Sequence, residues 1–389
     1  MVTSHWKCKR FFKMKIGHFL KQPQGYKAFI PEPFPPHEGF DFSKKLIQKA
    51  NHATLSLGKL DGVTQLLPDV DFFLFMYICK DAASSSQIEG TKATMVDAIE
   101  ATSKKTSGNL PGDVDDILKY IQALNYGLER LKDFPLCLRL IKEVHKELME
   151  NARASHFSDP GNFRKSQNWI GGTTLNNALF VPPPIHEMQK SLSDLEKFFH
   201  QEDDILPVLK AGLIHAQFET IHPFLDGNGR TGRMLITLFL WLEKLLDRPV
   251  LFLSSYFKKH QKTYYDRING YHDGKIEHWL DFFLDGIIDT SMEAIEIAKK
   301  ITVLREQDMK KIQSLGKTEA KSAIEILFQL FKLPVTNVVK VQEWTGFTRQ
   351  GAYKVIKRFI NLEILYAKDE NKTYGQSYIY RRYVDIFKD

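Results

Sequence analysis

Two helical patterns of hydrophobic residues meet at a short polar loop in the middle of the chain. Residues 206–218 alternate apolar and polar positions with a helical period, which predicts an amphipathic helix. Residues 231–245 are apolar on almost every side, which predicts a buried helix. Residues 226–229 between them read Asp-Gly-Asn-Gly, and these residue types tolerate positive φ and interrupt helices. The pattern therefore predicts two helices joined by a tight polar loop.

This loop has the chemistry of an anion site. It leads into a helix start, where unpaired backbone N–H groups and the helix dipole attract negative charge. Arg230 and Arg233 are three positions apart at that start, so both guanidinium groups can reach back and bind phosphate oxygens. A carboxylate at Asp226 fits beside phosphate when a cation lies between them, and Mg²⁺ is the usual one. His222, just before the loop, can accept the proton of a hydroxyl.

Each of these residues also has an ordinary structural interpretation. An Asn-Gly pair is usually only a turn, an arginine near a helix start is usually a surface residue, and a lone histidine is usually structural. Their combination within residues 222–233 favours a phosphate-binding loop with a base beside it. We expect Phe224 to turn inward and anchor the loop to the core.

Residues 222–233, His-Pro-Phe-Leu-Asp-Gly-Asn-Gly-Arg-Thr-Gly-Arg, resemble the motif of the Fic family at every position. The resemblance implies a helical enzyme that transfers AMP from ATP to a hydroxyl of a target protein, with Mg²⁺ as cofactor. It implies that His222 is the general base and that Asp226 holds Mg²⁺ between the α- and β-phosphates. The other residues implied to bind the nucleotide are Gly227, Asn228 and Gly229 in the anion hole, with Arg230, Thr231, Gly232 and Arg233 beyond it.

Residues 82–91 lie in a predicted helix before the core and read Ala-Ala-Ser-Ser-Ser-Gln-Ile-Glu-Gly-Thr. Ser85, Glu89 and Gly90 resemble the inhibitory motif of autoinhibited Fic proteins. The resemblance implies that Glu89 pairs with Arg233 in the place of the γ-phosphate, so that bound ATP is misaligned. The alternative is a polar helix face on which Glu89 is a solvated acid.

Residues 160–184 contain short β-prone pieces around Gly171 and Gly172, followed by a run of prolines. This pattern predicts a β-hairpin flap with an exposed edge. A similar flap in Fic proteins aligns the target by β-strand addition, and the alternative is an ordinary connecting loop.

Residues 252–283 resemble the helices that follow the Fic motif. The resemblance implies that Tyr265 and His272 lie near the adenine, although some relatives have an asparagine near the position of His272. For Tyr265 the alternative is a plain core aromatic. His215 and Glu219, in the helix that leads into the motif, are expected to be structural, with His215 in the interior.

The C-terminal residues resemble a winged helix-turn-helix. Residues 338–344 are expected to form its first helix, Gly346 the turn, and residues 348–361 the recognition helix with Thr348 as N-cap. Residues 369–375 are expected to form the tip of a wing, with the return strand at 378–380. The side chains that could face DNA are Arg349, Gln350, Tyr353, Lys354 and Lys357. The alternative is that this part mediates dimerisation or docks a target.

Composition narrows the class of protein without deciding its function. The length of 389 residues predicts more than one domain, and we expect a helical arm over 1–110, a Fic core over 111–300 and a linker helix with winged helix over 301–389. Three scattered cysteines predict a reducing, cytoplasmic location. No apolar run is long enough for a membrane span. The basic residues 1–15 lack the apolar stretch of a signal peptide, and both Met1 and Met14 are considered as the start.

Two classes of function remain open from the sequence. The first is an autoinhibited protein adenylyltransferase that acts on an unidentified target protein and on itself. The second is a DNA-binding transcriptional regulator whose Fic core senses a nucleotide and whose DNA contacts come from residues 335–389. The net charge of +7 permits DNA binding without requiring it. A homodimer is compatible with both.

Overall fold

The structure is a computed structural model that describes residues 15–95, 97–99, 112–150, 159–368 and 375–387. Within these ranges the fold is mainly α-helical, as predicted. The helices are α1 (Lys44–Thr64), α2 (Val70–Ile88), α3 (Gly112–Arg130), α4 (Leu138–Met149), α5 (Ile185–His200), α6 (Pro207–Ile221), α7 (Asn228–Leu242), α8 (Ser254–Lys259), α9 (Gln261–His272), α10 (Ile276–Gln313), α11 (Lys317–Lys332), α12 (Val338–Thr345), α13 (Arg349–Asn361) and α14 (Arg381–Asp385). The strands are β1 (Gly17–Lys21), β2 (Lys27–Pro31), β3 (Val335–Asn337), β4 (Tyr366–Ala367) and β5 (Ser377–Ile379).

The chain forms two compact units. The first contains the residues up to Ala53 together with Gln122–Glu243 and Tyr256–Gly286. The second contains Thr54–Ile121, Lys244–Ser255 and the residues from Ile287 onward. The three domains expected over 1–110, 111–300 and 301–389 stay a prediction. No helix in the described part of the chain is long and apolar enough to cross a membrane.

The core of the first unit is built on helices α6 and α7. Both are buried along almost their whole length, as the apolar patterns predict for α7. They approach closely at Gly232, where an added Cβ would lie 2.5 Å from Oε1 of Glu219 and 3.1 Å from Cδ1 of Phe218. A larger residue at this position would displace the Glu219 carboxylate and crowd the Phe218 ring, so glycine here lets these two side chains of α6 lie against α7.

A two-stranded antiparallel sheet precedes the helices. Strands β1 and β2 pair in register from Gly17 opposite Pro31 to Lys21 opposite Lys27. A helical arm is expected over residues 1–110, but residues 17–31 within it contain these two strands instead. The reason is the Gln-Pro-Gln-Gly turn, in which Gly25 has φ of 98° and reverses the chain. The basic segment up to Met14 lies outside the described residues.

In the described part of the C-terminal module, residues 335–387, helices α12, α13 and α14 accompany a three-stranded antiparallel sheet of order β3-β5-β4. Helices α12 and α13 match the predicted ranges 338–344 and 348–361 to within one residue at each end. Gly346 ends α12 with φ of 69°, and the Thr348 hydroxyl accepts from the Gly351 N–H at 3.3 Å, so the predicted turn and N-cap are confirmed. The predicted return strand is β5. The predicted wing tip at 369–375 lies mostly outside the described residues.

Candidate active site

His222 ends helix α6 in a left-handed conformation, with φ of 48° and ψ of 61°. Its N–H still donates to the carbonyl of Phe218 at 2.9 Å, while Pro223 after it cannot continue the helix. A non-glycine residue in this region of φ is strained and persists only where neighbouring contacts hold it. The backbone therefore presents the histidine at a fixed corner between α6 and the loop that follows.

The motif loop, residues 223–227, is closed by its own side chains. Asn228 accepts from the Phe224 N–H at 2.8 Å through Oδ1 and donates to the Phe224 carbonyl at 2.9 Å through Nδ2. Phe224 is fully buried, which confirms the predicted inward anchor. The Asp226 carboxylate accepts from the Gly227 N–H at 2.6 Å. The side chain of Asn228 thus fixes the shape of the loop, while the backbone N–H of Asn228 is still available for the predicted anion hole.

Gly227 precedes helix α7 with φ of 76°, and no side chain caps this helix start. The first backbone N–H groups of α7 therefore lack a side-chain acceptor and provide an anion site. Arg230 and Arg233 follow within the first two turns, and both are more than nine-tenths buried. The Arg230 Nη2 lies 3.4 Å from Sδ of Met149, and its Nε has no hydrogen-bond partner among the described residues. A buried guanidinium group with an open N–H is suited to an anionic ligand.

Thr231 and Gly232 lie on the packed side of α7. Thr231 is buried, and the Gly232 carbonyl accepts from Nδ1 of His215 at 2.9 Å. The opposite ring nitrogen of His215 then accepts from the Tyr264 hydroxyl at 2.9 Å. Burial lowers the pKa of His215 to about 3, so its ring is neutral, as expected of an interior structural histidine. The predicted nucleotide-binding roles of Thr231 and Gly232 stay predictions.

The His222 imidazole has a carboxylate neighbour within the motif region. Its Nδ1 lies 4.0 Å from Oε2 of Glu219, one helical turn earlier on α6. The His222 side chain retains 18% exposure and that of Glu219 retains 10%. A histidine that is partly accessible beside a largely buried carboxylate can accept a proton from a ligand, and the carboxylate then stabilises the resulting charge.

Two side chains outside the motif hold its carbonyl groups, and sequence reasoning missed both. Arg164 Nε donates to the His222 carbonyl at 3.0 Å, and Asn168 Nδ2 donates to the Phe224 carbonyl at 2.8 Å. A single arginine and a single asparagine in a polar segment have the sequence signature of solvated residues. Only their burial, 2% and 8% exposed, distinguishes them.

His145 on helix α4 is a third support that the sequence did not indicate. Its Nδ1 accepts from the Gly161 N–H at 2.9 Å, so its Nε2 carries the proton and donates to the Asp226 carbonyl at 3.0 Å. The ring stacks on Phe224 with 3.6 Å between centroids. Burial lowers the pKa of His145 to about 4, which keeps the ring neutral and preserves this pair of hydrogen bonds at neutral pH.

The flap, residues 160–184, reverses direction as a hairpin but forms a single antiparallel bridge between Ile170 and Phe180. Its tip is closed by the Asn177 side chain, whose Oδ1 accepts from the N–H groups of Thr173 and Thr174 at 2.9 and 2.8 Å. The predicted chain reversal is confirmed, while longer strands are not formed. The reason is that side-chain turns and positive-φ glycines occupy the residues that would extend the ladder.

The residues implied near the adenine have different environments. Tyr265 is 43% exposed and its ring lies 5.3 Å from that of Tyr264, so it is not a plain core aromatic. His272 is buried, stacks on Phe180 at 4.0 Å, and has its Nε2 3.0 Å from the Thr220 hydroxyl oxygen. Burial lowers the pKa of His272 to about 3. Contact of either residue with a nucleotide stays a prediction.

The segment implied to be inhibitory ends helix α2 in the second unit. Ser85 is fully buried, whereas Glu89 and Gly90 are exposed at the C-terminal end of the helix. Gly90 has φ of 99°, which stops the helix. Buried serines exclude a solvent-facing polar stripe along this part of α2, while Glu89 is exposed as that alternative expects. The pairing of Glu89 with Arg233 stays a prediction.

Two models of known protein families match parts of this chain. The model of the Fic/DOC family matches residues 135–240, and that of the Fic/DOC family N-terminal region matches residues 47–129. The chain belongs to the Fic/DOC family. The first match contains the whole motif of residues 222–233, and the second contains helix α2 with Ser85 and Glu89.

Two curated relatives and two solved structures are similar to this Fic/DOC protein. The protein adenylyltransferase Fic of Aedes aegypti is 30% identical over 177 residues, which cover 44% of this chain and 31% of the relative. A probable protein adenylyltransferase of Aquifex aeolicus is 29% identical over 165 residues, 40% of this chain and 50% of the relative. The chain thus spans from about a third to half of the length of these two relatives.

The solved structures show a shared fold at low identity. A Fic family protein from Desulfovibrio desulfuricans has a TM-score of 0.57 at 17% identity, covering 88% of this chain and 97% of its own. Fic-1 from C. elegans has a TM-score of 0.52 at 18% identity, covering 66% of this chain and 73% of its own. The helical Fic fold of this Fic/DOC protein is therefore shown independently of the motif.

Proposed function

We propose that the protein is an autoinhibited adenylyltransferase that transfers AMP from ATP to a Ser, Thr or Tyr hydroxyl of a target protein and of itself. The observation that carries this proposal is the motif loop itself. It joins an uncapped start of α7, two buried arginines and a partly accessible histidine within residues 222–233. The names of the curated relatives, protein adenylyltransferases, agree with it.

The proposed reaction needs little covalent chemistry from the protein. The target hydroxyl oxygen attacks the α-phosphorus of ATP, the bond from that phosphorus to the α,β-bridging oxygen breaks, and diphosphate leaves. His222 takes the hydroxyl proton, and Glu219, 4.0 Å from its Nδ1, stabilises the imidazolium that forms. The start of α7 with Arg230 and Arg233 holds the charge of the β- and γ-phosphates.

Mg²⁺ fits the residues of this site. Asp226 has one carboxylate oxygen engaged with the Gly227 N–H, and its second oxygen has no partner among the described residues. One protein carboxylate combined with phosphate oxygens is a common donor set for Mg²⁺. In the proposed complex Asp226 would bind the cation, which would neutralise phosphate charge.

A mass measurement tests the proposed activity. Purified protein incubated with ATP and Mg²⁺ is expected to gain the mass of one AMP or more, and the His222→Ala variant to gain none while it still binds ATP. His186→Ala is the matched control, because the His186 side chain is 77% exposed and lies outside the motif. Mass gain in the His222→Ala variant at the wild-type rate would rule out His222 as the base.

Autoinhibition is tested on the same readout. We expect Glu89→Gly to label more strongly than the wild type with radioactive ATP, because the proposed competitor for Arg233 is gone. Glu202→Gly, at another exposed acid, is the control and is expected to label as the wild type does. Equal labelling of all three proteins would remove the inhibitory role of Glu89.

A second candidate function is supported by the C-terminal module, which we propose to be a winged helix that binds DNA. The five side chains of α13 that the sequence singles out are all exposed, and three of them are basic: Arg349, Gln350, Tyr353, Lys354 and Lys357. Phosphate contacts make DNA affinity fall steeply with salt. Filter binding over a salt series is the test, and absence of binding at low salt would end the DNA proposal.

A further inference from the structure

Arg164 joins the flap to the motif loop through three backbone carbonyls. Its Nε donates to His222 at 3.0 Å, its Nη1 to Ser166 at 3.3 Å and its Nη2 to Pro183 at 2.6 Å. Its own N–H donates to the Pro223 carbonyl at 2.8 Å. Ser166 and Pro183 lie on the two arms of the flap, so one side chain holds both arms and the corner at His222.

Asn168, four residues further along the flap, makes the same connection. Its Nδ2 lies 3.3 Å from the His222 carbonyl and 2.8 Å from the Phe224 carbonyl. Both acceptors are carbonyl oxygens, so the amide must present its NH₂ group to them. The side chain therefore bridges the residue in left-handed conformation to the buried anchor of the loop.

The chemistry of these contacts is unusual for a structural arginine. The guanidinium group is buried with 2% exposure, and the structure gives it carbonyl acceptors without a salt bridge among the described residues. Burial of the cation lowers the pKa of Arg164 to about 10. A buried charge without an ionic partner is costly. The planar guanidinium group, with its fixed set of N–H donors, can however hold several carbonyl oxygens at fixed positions.

The strained backbone of His222 gives these contacts a function. A non-glycine residue at φ of 48° is retained only where surrounding contacts over-determine it. Arg164 and Asn168 supply two donors to the His222 carbonyl itself. Without these hydrogen bonds the peptide after His222 can relax, and the His222 imidazole and the flap are no longer held in a fixed position relative to each other.

We propose that Arg164 and Asn168 are positioning residues that fix the backbone of His222 and set the flap in register with it. The proposal rests on the proposed AMP transfer, in which the flap aligns the target hydroxyl with the base. Neither residue contacts the loop groups that are proposed to bind phosphate. Their loss is therefore expected to slow transfer while ATP affinity persists.

The test compares Asn168→Ala with Asn162→Ala, an identical substitution in the same segment. Asn162 is exposed and its side chain donates only to Asp159, at 2.8 Å, among the described residues. Because a misplacement of about 1 Å can cost on the order of a hundredfold in rate, we expect Asn168→Ala to slow AMP transfer by about ten- to a hundredfold. ATP affinity is expected to stay within about twofold of the wild type, which separates positioning from loss of binding.

Arg164→Lys is the second variant, because lysine keeps the charge but cannot reach three carbonyls with one planar group. Hydrogen exchange on the free protein supplies a readout that needs no catalysis. In Asn168→Ala the amides of His222, of Phe224 and of the flap are expected to exchange at least about tenfold faster, while exchange in the helices is unchanged.

Three results would overturn the proposal. One is unchanged exchange in the flap and at His222 and Phe224 in a folded Asn168→Ala protein. Another is an equal loss of transfer in Asn162→Ala. The third is a parallel loss of ATP affinity, transfer and melting temperature, which indicates a general structural role. Wild-type protein that binds ATP but transfers no AMP would instead refute the proposed function, and the exchange comparison would still decide the coupling.

Discussion

Replacement of Gly227 by alanine perturbs the motif loop in two separable ways. The residue has φ of 76°, a conformation that costs an L-residue about 1–2 kcal/mol. An added Cβ would also lie 2.9 Å from Sδ of Met149 and 3.2 Å from Nε2 of His145. Overpacking of this kind costs about 1–3 kcal/mol, because neighbouring groups must move.

A matched control isolates the steric part. Gly39 lies in the same compact unit with φ of 71°, and an added Cβ there would meet nothing within 4 Å. We expect Gly39→Ala to lower the free energy of unfolding by about 1 kcal/mol through φ alone. Gly227→Ala is expected to lower it by about 2–4 kcal/mol, since the steric cost is added to the conformational cost.

The assay is urea unfolding of both variants, followed by ATP binding measured calorimetrically. Gly227→Ala is expected to weaken ATP binding, because Met149 and His145 lie against the loop that presents the start of α7. Gly39→Ala is expected to leave binding unchanged. Equal destabilisation of the two variants, or full ATP affinity in Gly227→Ala, would refute the close packing of the loop.

Three further predictions concern His145, Asp308 and Asp226. The folded-state pKa of His145 is about 4, so the unfolded chain takes up a proton first as pH falls through 6.5. The free energy of unfolding, measured with urea, is therefore expected to fall by up to about 3 kcal/mol between pH 6.5 and 4. The decline is expected to be smaller in His145→Asn. Asp308 is fully buried and accepts hydrogen bonds from Tyr380 and Arg382. Asp308→Asn is therefore expected to lower the free energy of unfolding by about 3 kcal/mol, and an unchanged melting temperature would contradict this. Asp226→Asn is expected to raise the Mg²⁺ concentration needed for AMP transfer at constant ATP, and an unchanged Mg²⁺ dependence would exclude Asp226 as its ligand.

The sequence predicted the elements whose signals are local. The buried helix α7 follows from an unbroken apolar run, and the Thr348 N-cap follows from a residue type that satisfies the next backbone N–H groups. The motif loop also follows from local chemistry, since Asp, Asn and Gly allow the turn and arginines at a helix start favour phosphate. The inward position of Phe224 could be predicted because it is a large apolar residue within a polar loop.

Tertiary structure decided what depends on partners distant in the chain. Nothing local in the sequence indicates that Arg164 and His145 will contact the carbonyls of residues 222 and 226. A polar face on α2 was the alternative left open for Ser85, and only the structure shows that this serine is fully buried. The sequence by itself thus determined the motif loop and the candidate residues for binding phosphate, because these depend on side-chain chemistry and short-range turns. Which side chains hold those residues in place was decided by packing, because burial and long-range hydrogen bonds arise only when separate helices and loops meet.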